Sequence, residues 1–386
     1  MASPRRWRRL LPGGALALAA LAAVGCASAT AGTSGNAAAK PARDAAAITT
    51  AQARQAFNGY VATTAKALRT GDGRLALSVV TDAQQSLISA GLKMHGTHIF
   101  TSGSIAASAY SSTLTITLPS ATPYTYGTPT FYLPEPAGYP RFFVADVTRS
   151  VKGLKPALGA VTSIGGARVP VDGPALMLFE QATAAGPWKL ASVSQFPAGM
   201  TLPRLATDAN GHIAQVPLTS TGLLAQPYAT GPLQAAVVDD GAASAAAKAV
   251  ATGPLTTTLY QSARDRSGTG LQVPGGDMYR WDMEGTPYPA FALRTADGGA
   301  LVLFAMYLNS TVAVPSYLNK GNPVDPGAPI EVPLAVTSLL PAGQPAPRVA
   351  LEAQDLFSFA AIDPPAGPSK VQVIAIGGGL NYAAAS

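Results

Sequence analysis

The sequence predicts an α+β fold built from two similar copies of one unit, each with helices packed on a curved antiparallel sheet. Three observations predict it. A capped helical pattern is followed by strand-like runs. The same order recurs in the second half of the chain. Gly and Pro, at 39 and 33 of 386 residues, favour turns and strands over long helices. The chain is 48% apolar and 12% charged, which supplies a packed core and excludes a disordered protein.

The chain opens on Arg5, Arg6, Arg8 and Arg9, followed by an apolar run over residues 10–25 that is shorter than the ~20 residues of a permanent membrane span. This is the charged-then-apolar pattern of a secretory signal, assigned to residues 1–25. It ends in Leu21-Ala22-Ala23-Val24-Gly25-Cys26, which resembles the bacterial lipobox, although that pattern usually has Leu where Ala23 stands. The resemblance implies cleavage before Cys26 and lipid attachment on its thiol, with acyl chains of the palmitate kind. Each buried methylene adds ~0.8 kcal/mol to anchoring. Cys26 is the only cysteine, so no intrachain disulfide forms. The competing reading is an ordinary signal peptide cut after Ala27-Ser28-Ala29. The arginine pairs leave Sec and twin-arginine export both open. Residues 26–47, small and polar, form a flexible tether.

Removing the signal leaves 22 of the 26 basic residues against 20 acidic ones. No basic cluster of the kind that binds nucleic acid survives. The expected partners are therefore the membrane, through the lipid, and an envelope protein or small-molecule ligand.

The first domain is assigned to residues 48–204. Thr49 and Gln52 fit a capping box. Phe57, Tyr60, Val61, Thr64, Ala65 and Leu68 then share a helical face, and Gly71 ends the helix. A second helix is expected from Asp82 to Ala90, with Gly91 as its stop. Strands follow at Leu114 to Leu118, Phe142 to Val147, Ala175 to Phe179 and Trp188 to Val193. Residues 205–232 connect to a second domain over 233–386, with Asp239-Asp240 expected to start a helix before the Ala-rich run Ala242 to Ala251.

The repeat rests on three matches. Gly127-Thr128-Pro129 recurs 158 residues later as Gly285-Thr286-Pro287. The strand Phe142 to Val147 matches Val302 to Tyr307 at 160, and Ala185-Gly186-Pro187 matches Ala366-Gly367-Pro368 at 181, with Lys189 on Lys370. About twenty extra residues then fall between Val312 and Pro347. In Leu301 to Leu308 both faces are apolar, which predicts a sheet covered on both sides, by its own helices and by the other copy. By fold-level analogy, helices followed by a strand meander suit the cone-shaped folds of nuclear-transport-factor type.

Four stretches carry a family resemblance: Tyr139-Pro140-Arg141-Phe142-Phe143-Val144-Ala145-Asp146, Gly186-Pro187-Trp188-Lys189-Leu190, Leu205-Ala206-Thr207-Asp208-Ala209-Asn210-Gly211, and Arg294-Thr295-Ala296-Asp297-Gly298-Gly299-Ala300-Leu301-Val302. Together they resemble a family of actinobacterial exported lipoproteins known only as a domain of unknown function. The resemblance implies an exported, lipid-anchored two-part body and no established activity.

For chemistry the sequence offers little. There is no G-x-S-x-G elbow, Walker loop or G-x-G-x-x-G fingerprint. His95 and His98, with His212 the only histidines, lack the third and fourth ligands of a zinc site. Asp277, Asp282 and Glu284 with Tyr279 and Trp281 are a candidate sugar site, since carboxylates and stacking rings serve one. Asp146, on a strand among apolar neighbours, is a candidate base, as in cone-fold isomerases that pair an Asp with a Tyr donor. Gly377-Gly378-Gly379 is taken as a flexible strand end. No catalytic residue, metal ligand set or cofactor is assigned; Cys26 is the one site residue. The expectation is a non-enzymatic binding or scaffold lipoprotein on the extracytoplasmic face of the cell membrane. The alternative is an isomerase- or hydrolase-type enzyme with a small apolar or sugar ligand in a cone pocket.

Overall fold

The first helix forms where its caps allow. The computed structural model describes residues 47–95, 104–105, 116–117, 124–136, 138–151, 161–164, 167–170, 172–268, 278–313, 336, 339–340 and 350–385. Cys26, the signal, most of the tether and most of the insertion between Val312 and Pro347 lie outside them, as does the strand expected at Leu114 to Leu118 apart from Ile116 and Thr117. Helix α1 spans Thr50–Thr70. The Thr49 hydroxyl accepts from Gln52 N at 3.2 Å, and Thr49 N donates to Gln52 Oε1 at 2.9 Å, closing the capping box. Gly71, at φ 67°, caps the other end. Asp72 then caps a short helix that the sequence reading missed, α2 (Gly73–Ser78), by accepting from Leu75 N.

Helix α3 (Asp82–His95) starts where expected but runs through Gly91 instead of stopping there. Leu92, beyond the glycine, packs with Leu68, Leu75 and Ile88 around Ala67 and Ala76, so tertiary contact extends the helix. The Asp239-Asp240 expectation is also corrected. The pair ends helix α4 (Thr230–Asp240), and the Ala-rich run forms only 3₁₀ turns at Gly241–Ala243 and Ala245–Lys248. Gly241 has φ 71°, and a Cβ there would lie 2.5 Å from the Tyr260 ring of helix α5 (Thr257–Gly268), so the chain must turn at that point.

The strands are β1 (Ser104–Ile105), β2 (Ile116–Thr117), β3 (Tyr124–Tyr126), β4 (Thr130–Pro134), β5 (Arg141–Val151), β6 (Val161–Ile164), β7 (Ala167–Pro170), β8 (Gly173–Gln181), β9 (Lys189–Gln195), β10 (His212–Ile213), β11 (Met278–Gly285), β12 (Phe291–Arg294), β13 (Ala300–Ala313), β14 (Ala350–Asp363) and β15 (Gln372–Ala385). The main sheet runs β10-β4-β5-β8-β9-β15-β14-β13-β11, with β12 also on β13 and β3 on β5. Two antiparallel meanders thus meet edge to edge at β9 and β15, through the pair Gln195 and Ile376. At the far side, β10 pairs with β4 while Gln215 bridges Leu293 of β12 and Leu205 bridges Thr295. The connecting segment therefore straps the two free edges together, and the curved sheet is nearly closed.

Strand alternation divides the core. Phe142, Val144, Leu176, Leu178 and Ala191 of the first meander meet Phe291, Leu293, Leu301, Leu303, Ala360 and Ile374 of the second, with the Phe142 and Phe291 rings 4.4 Å apart. The opposite face of the first meander (Phe143, Ala145, Met177, Phe179, Leu190) packs on α1 through Phe57 and Tyr60. That of the second (Met306, Leu308, Phe357, Phe359, Val371) packs on α4 and α5 through Val237, Val238 and Leu259. The doubly apolar strand at 301–308 is accordingly covered on both faces.

The triple glycine is not a strand end. Gly377 and Gly378 lie inside β15, where a Cβ would fall 1.9 Å from Val193 O and 2.0 Å from Leu356 O respectively. Only glycine lets three backbones approach so closely at this seam.

Candidate functional site

The sequence-derived candidates separate in space. Along β11, Tyr279 and Met283 are buried and Trp281 half-buried, whereas Asp282 and Glu284 are exposed on the opposite face. Trp281 Nε1 donates to Val238 O at 3.1 Å, fixing the ring against α4. Rings and carboxylates therefore do not share a sugar site, and Asp277 lies outside the described residues. So do His98 and the His95 side chain, while His212 opens β10 and its backbone amide donates to Asp208 Oδ1 at 2.8 Å. No three His, Cys, Asp or Glu groups among the described residues could hold a metal ion. Asp146 is half-buried on β5, and burial raises its carboxyl above the ordinary range. Tyr132 on β4 is raised by burial and then by the Asp146 charge, so the Asp and a Tyr are neighbours. Neither lines the larger groove.

That groove, about 500 Å³, lies elsewhere, between α3 and the long strands of the second meander. Only Leu301 and Leu303 of β13, Ala360 and Ile362 of β14, and Ile374 and Ala375 of β15 join the core between the meanders. Beyond it the same strand face turns polar, and α3 packs over β14 and β15 there. Asp282, Asn309, Gln354 and Tyr382 stand in one cross-strand row. Their hydrogen bonds run one way. Asn381 Nδ2 donates to Gln354 Oε1 at 3.2 Å, Gln354 Nε2 to Asn309 Oδ1 at 3.0 Å, and Asn309 Nδ2 to Asp282 Oδ2 at 3.2 Å. The carboxylate can only accept, so it sets the orientation of every amide behind it.

α3 supplies the other wall with Asp82, Gln85, Ser86, Ser89 and Lys93. Ser86 Oγ and Tyr288 Oη are 2.6 Å apart, holding helix and loop together. Tyr307, raised to about 12 by burial and then by its hydrogen bond to Tyr288, continues that hydroxyl chain. Tyr382 at the rim is 52% exposed.

At the start of α3, Asp82 adopts φ 47°, a strained value for a non-glycine residue. Its carboxyl faces Glu180 of β8, which is 8% exposed. Burial first, then the hydrogen bond and charge of Asp82, raise Glu180 to about 7. Asp82 Oδ2 and Glu180 Oε2 are both buried without another partner, and one shared proton satisfies both. Asp82 reaches the groove; Glu180 does not line it. Sequence reasoning missed this site, because amides, serines and two carboxyls 98 residues apart make no motif.

The family stretches are structural. Arg141 lies 5.0 Å from the Tyr139 ring centroid and 5.7 Å from that of Trp188, joining two of them. The other two are turns, at Asp208 and Asp297, tied by Ala206 N donating to Arg294 O at 2.9 Å and Ala296 N to Arg204 O at 2.8 Å. No curated protein matches the chain. One family does, over residues 44–383, which takes in both meanders, the strap and the groove, and the chain therefore belongs to the family described as domain of unknown function DUF8094.

Proposed function

We propose that this chain is a lipid-anchored binding module of the bacterial cell envelope, held by Cys26 to the extracytoplasmic face of the membrane, and not an enzyme. The observation that carries the binding reading is the groove. Its lining is hydroxyls and amides with one carboxylate and one ammonium, Asp82 and Lys93, and the buried carboxyl with the raised proton affinity does not line it. A general acid or base must come within hydrogen-bond reach of its substrate. Glu180 is placed to hold α3 and not to meet a ligand. The anchor rests on the lipobox-like ending at Cys26 and on the actinobacterial lipoprotein resemblance.

We further infer that the two meanders descend from one duplicated unit of helices on a curved sheet, of nuclear-transport-factor type. Two correspondences support this. Val80 bridges Leu190, with Thr81 N donating to Leu190 O and Leu190 N to Val79 O; Val250 bridges Val371, with Ala251 N donating to Val371 O and Val371 N to Ala249 O. At the seam, Gln195 pairs with Ile376, the residue 181 positions on, as a two-fold between copies demands. From there the row Gln195, Ala175, Val147 answers Ile376, Phe359, Phe304. This places Val147 on Phe304, 157 residues on. The sequence offset of 160 differs by an odd number and would set Phe142, which faces the shared core, on Val302, which faces away from it.

Mass spectrometry of the native N-terminus with membrane fractionation tests the anchor. A diacylated Cys26, and release of the Cys26→Ser variant from the membrane fraction, are expected. An unmodified chain beginning at Thr30 in the medium, or a serine variant still membrane-bound, overturns it.

A further inference from the structure

We propose that the groove between α3 and the β13–β15 row is a carbohydrate site that takes a short, uncharged oligosaccharide across Tyr382, Gln354 and Asn381. The proposal rests on the binding-module reading and names its ligand class.

The lining excludes other classes. Lys93 and Asp82 are its two charged side chains, one of each sign, so the lining carries no excess of positive charge for a phosphate or nucleic acid. The other lining groups are hydroxyls, amides and two tyrosines, with Ala90 the one aliphatic residue, which argues against a lipid or other apolar ligand. A single carboxylate does not make a cation site. The floor is formed by side chains that project from the face of the paired strands β14 and β15, a surface that offers an extended peptide side chains and not a backbone ladder.

A sugar presents adjacent hydroxyls, each donor and acceptor, around a ring with an apolar C–H face. An amide offers one donor and one acceptor side by side, and Gln354 and Asn381 each keep hydrogen-bonding capacity after making the row's bonds. Because the row ends on the Asp282 carboxylate, those amides are oriented before the ligand arrives, so little ordering is lost on binding. Tyr382 stands beside them as an aromatic platform at the rim, and Ser86, Ser89 and Gln85 face it from α3. A volume of about 500 Å³ falls within the usual range for a small-molecule pocket.

The test uses the full chain purified from membranes in detergent. Chitotetraose, maltotetraose and an uncharged tetrapeptide of Ala and Gly are each titrated into it by calorimetry. At least one glycan is expected to saturate the protein with a Kd below about 1 mM, and Tyr382→Ala is expected to weaken it by about tenfold or more. Gln354→Ala should weaken it several-fold, with the melting temperature of both variants unchanged. A glycan that binds equally to Tyr382→Ala overturns the site. If the peptide alone binds, and Tyr382→Ala abolishes it, the carbohydrate assignment fails while the binding-module reading stands. If none of the three binds at about 10 mM, a concentration that detects even millimolar affinity, both fail.

Discussion

The two meanders share a ladder order and differ in reach. β5, β8 and β9 have 11, 9 and 7 residues; β13, β14 and β15 have 14 each. The shared core needs only the length both possess. The surplus in the second half extends past it with a polar face, and α3, from the first half, packs there. The groove thus arises from a mismatch between two similar halves. The carboxyl pair is also one-sided. Asp82 lies two residues after the bridging Val80, and Thr252 holds that place after Val250.

The seam offers the most severe way to break this comparison. Gly377 follows Ile376 of the seam pair, whereas the bulky Phe196 follows its partner Gln195. Gly377→Ala drives a Cβ into Val193 O and should cost about 4 kcal/mol or more in urea unfolding. Gly379→Ala, with nothing near its Cβ, is the control and should stay close to wild type.

Next in size is the shared core. Phe142→Ala should cost about 3–4 kcal/mol and lower hydrogen-exchange protection in both halves together, since its ring packs on Phe291. Protection lost in the first half alone would mean that the halves are energetically separate.

The carboxyl pair sharpens the difference through pH. Glu180 titrates at about 7 in the fold against an ordinary 4.5, so the folded chain binds a proton that the unfolded chain has released. The contribution is full below about pH 4.5 and is lost as the pH rises through about 7. Glu180→Gln should therefore be more stable than wild type by roughly 1–3 kcal/mol at about pH 8, and the gap should close near pH 4.5. A gap that does not change between those two values would rule out the shared proton.

The smallest effect lies at the caps. α1 has a capping box, whereas α4 has Ala229 at its N-cap and no side-chain cap. Thr49→Ala should cost about 1 kcal/mol and leave exchange in α4 and α5 unchanged.

Local features were legible in the sequence and remote ones were not. Thr49, Gln52 and Gly71 act within one or two turns, so their pattern fixed a helix correctly. The strands at Phe142 and Ala175 showed themselves by their residues. Gly91 and Asp239-Asp240 misled because Leu92 and the Tyr260 ring decide where those helices end. Gly377 was opaque for the same reason: what demands a glycine there is Val193, on a strand 184 residues earlier. The groove was invisible because α3, Tyr288, Gln354 and Tyr382 meet only in the folded chain.

Gln195 and Ile376 are joined by a single register pair. A molecule that opens there exposes two strand borders, β9 and β15, each already shaped to receive the other. A second opened copy satisfies both at once, with every contact native. Refolding at high protein concentration is therefore expected to yield some domain-swapped dimer, which size-exclusion chromatography would separate from monomer.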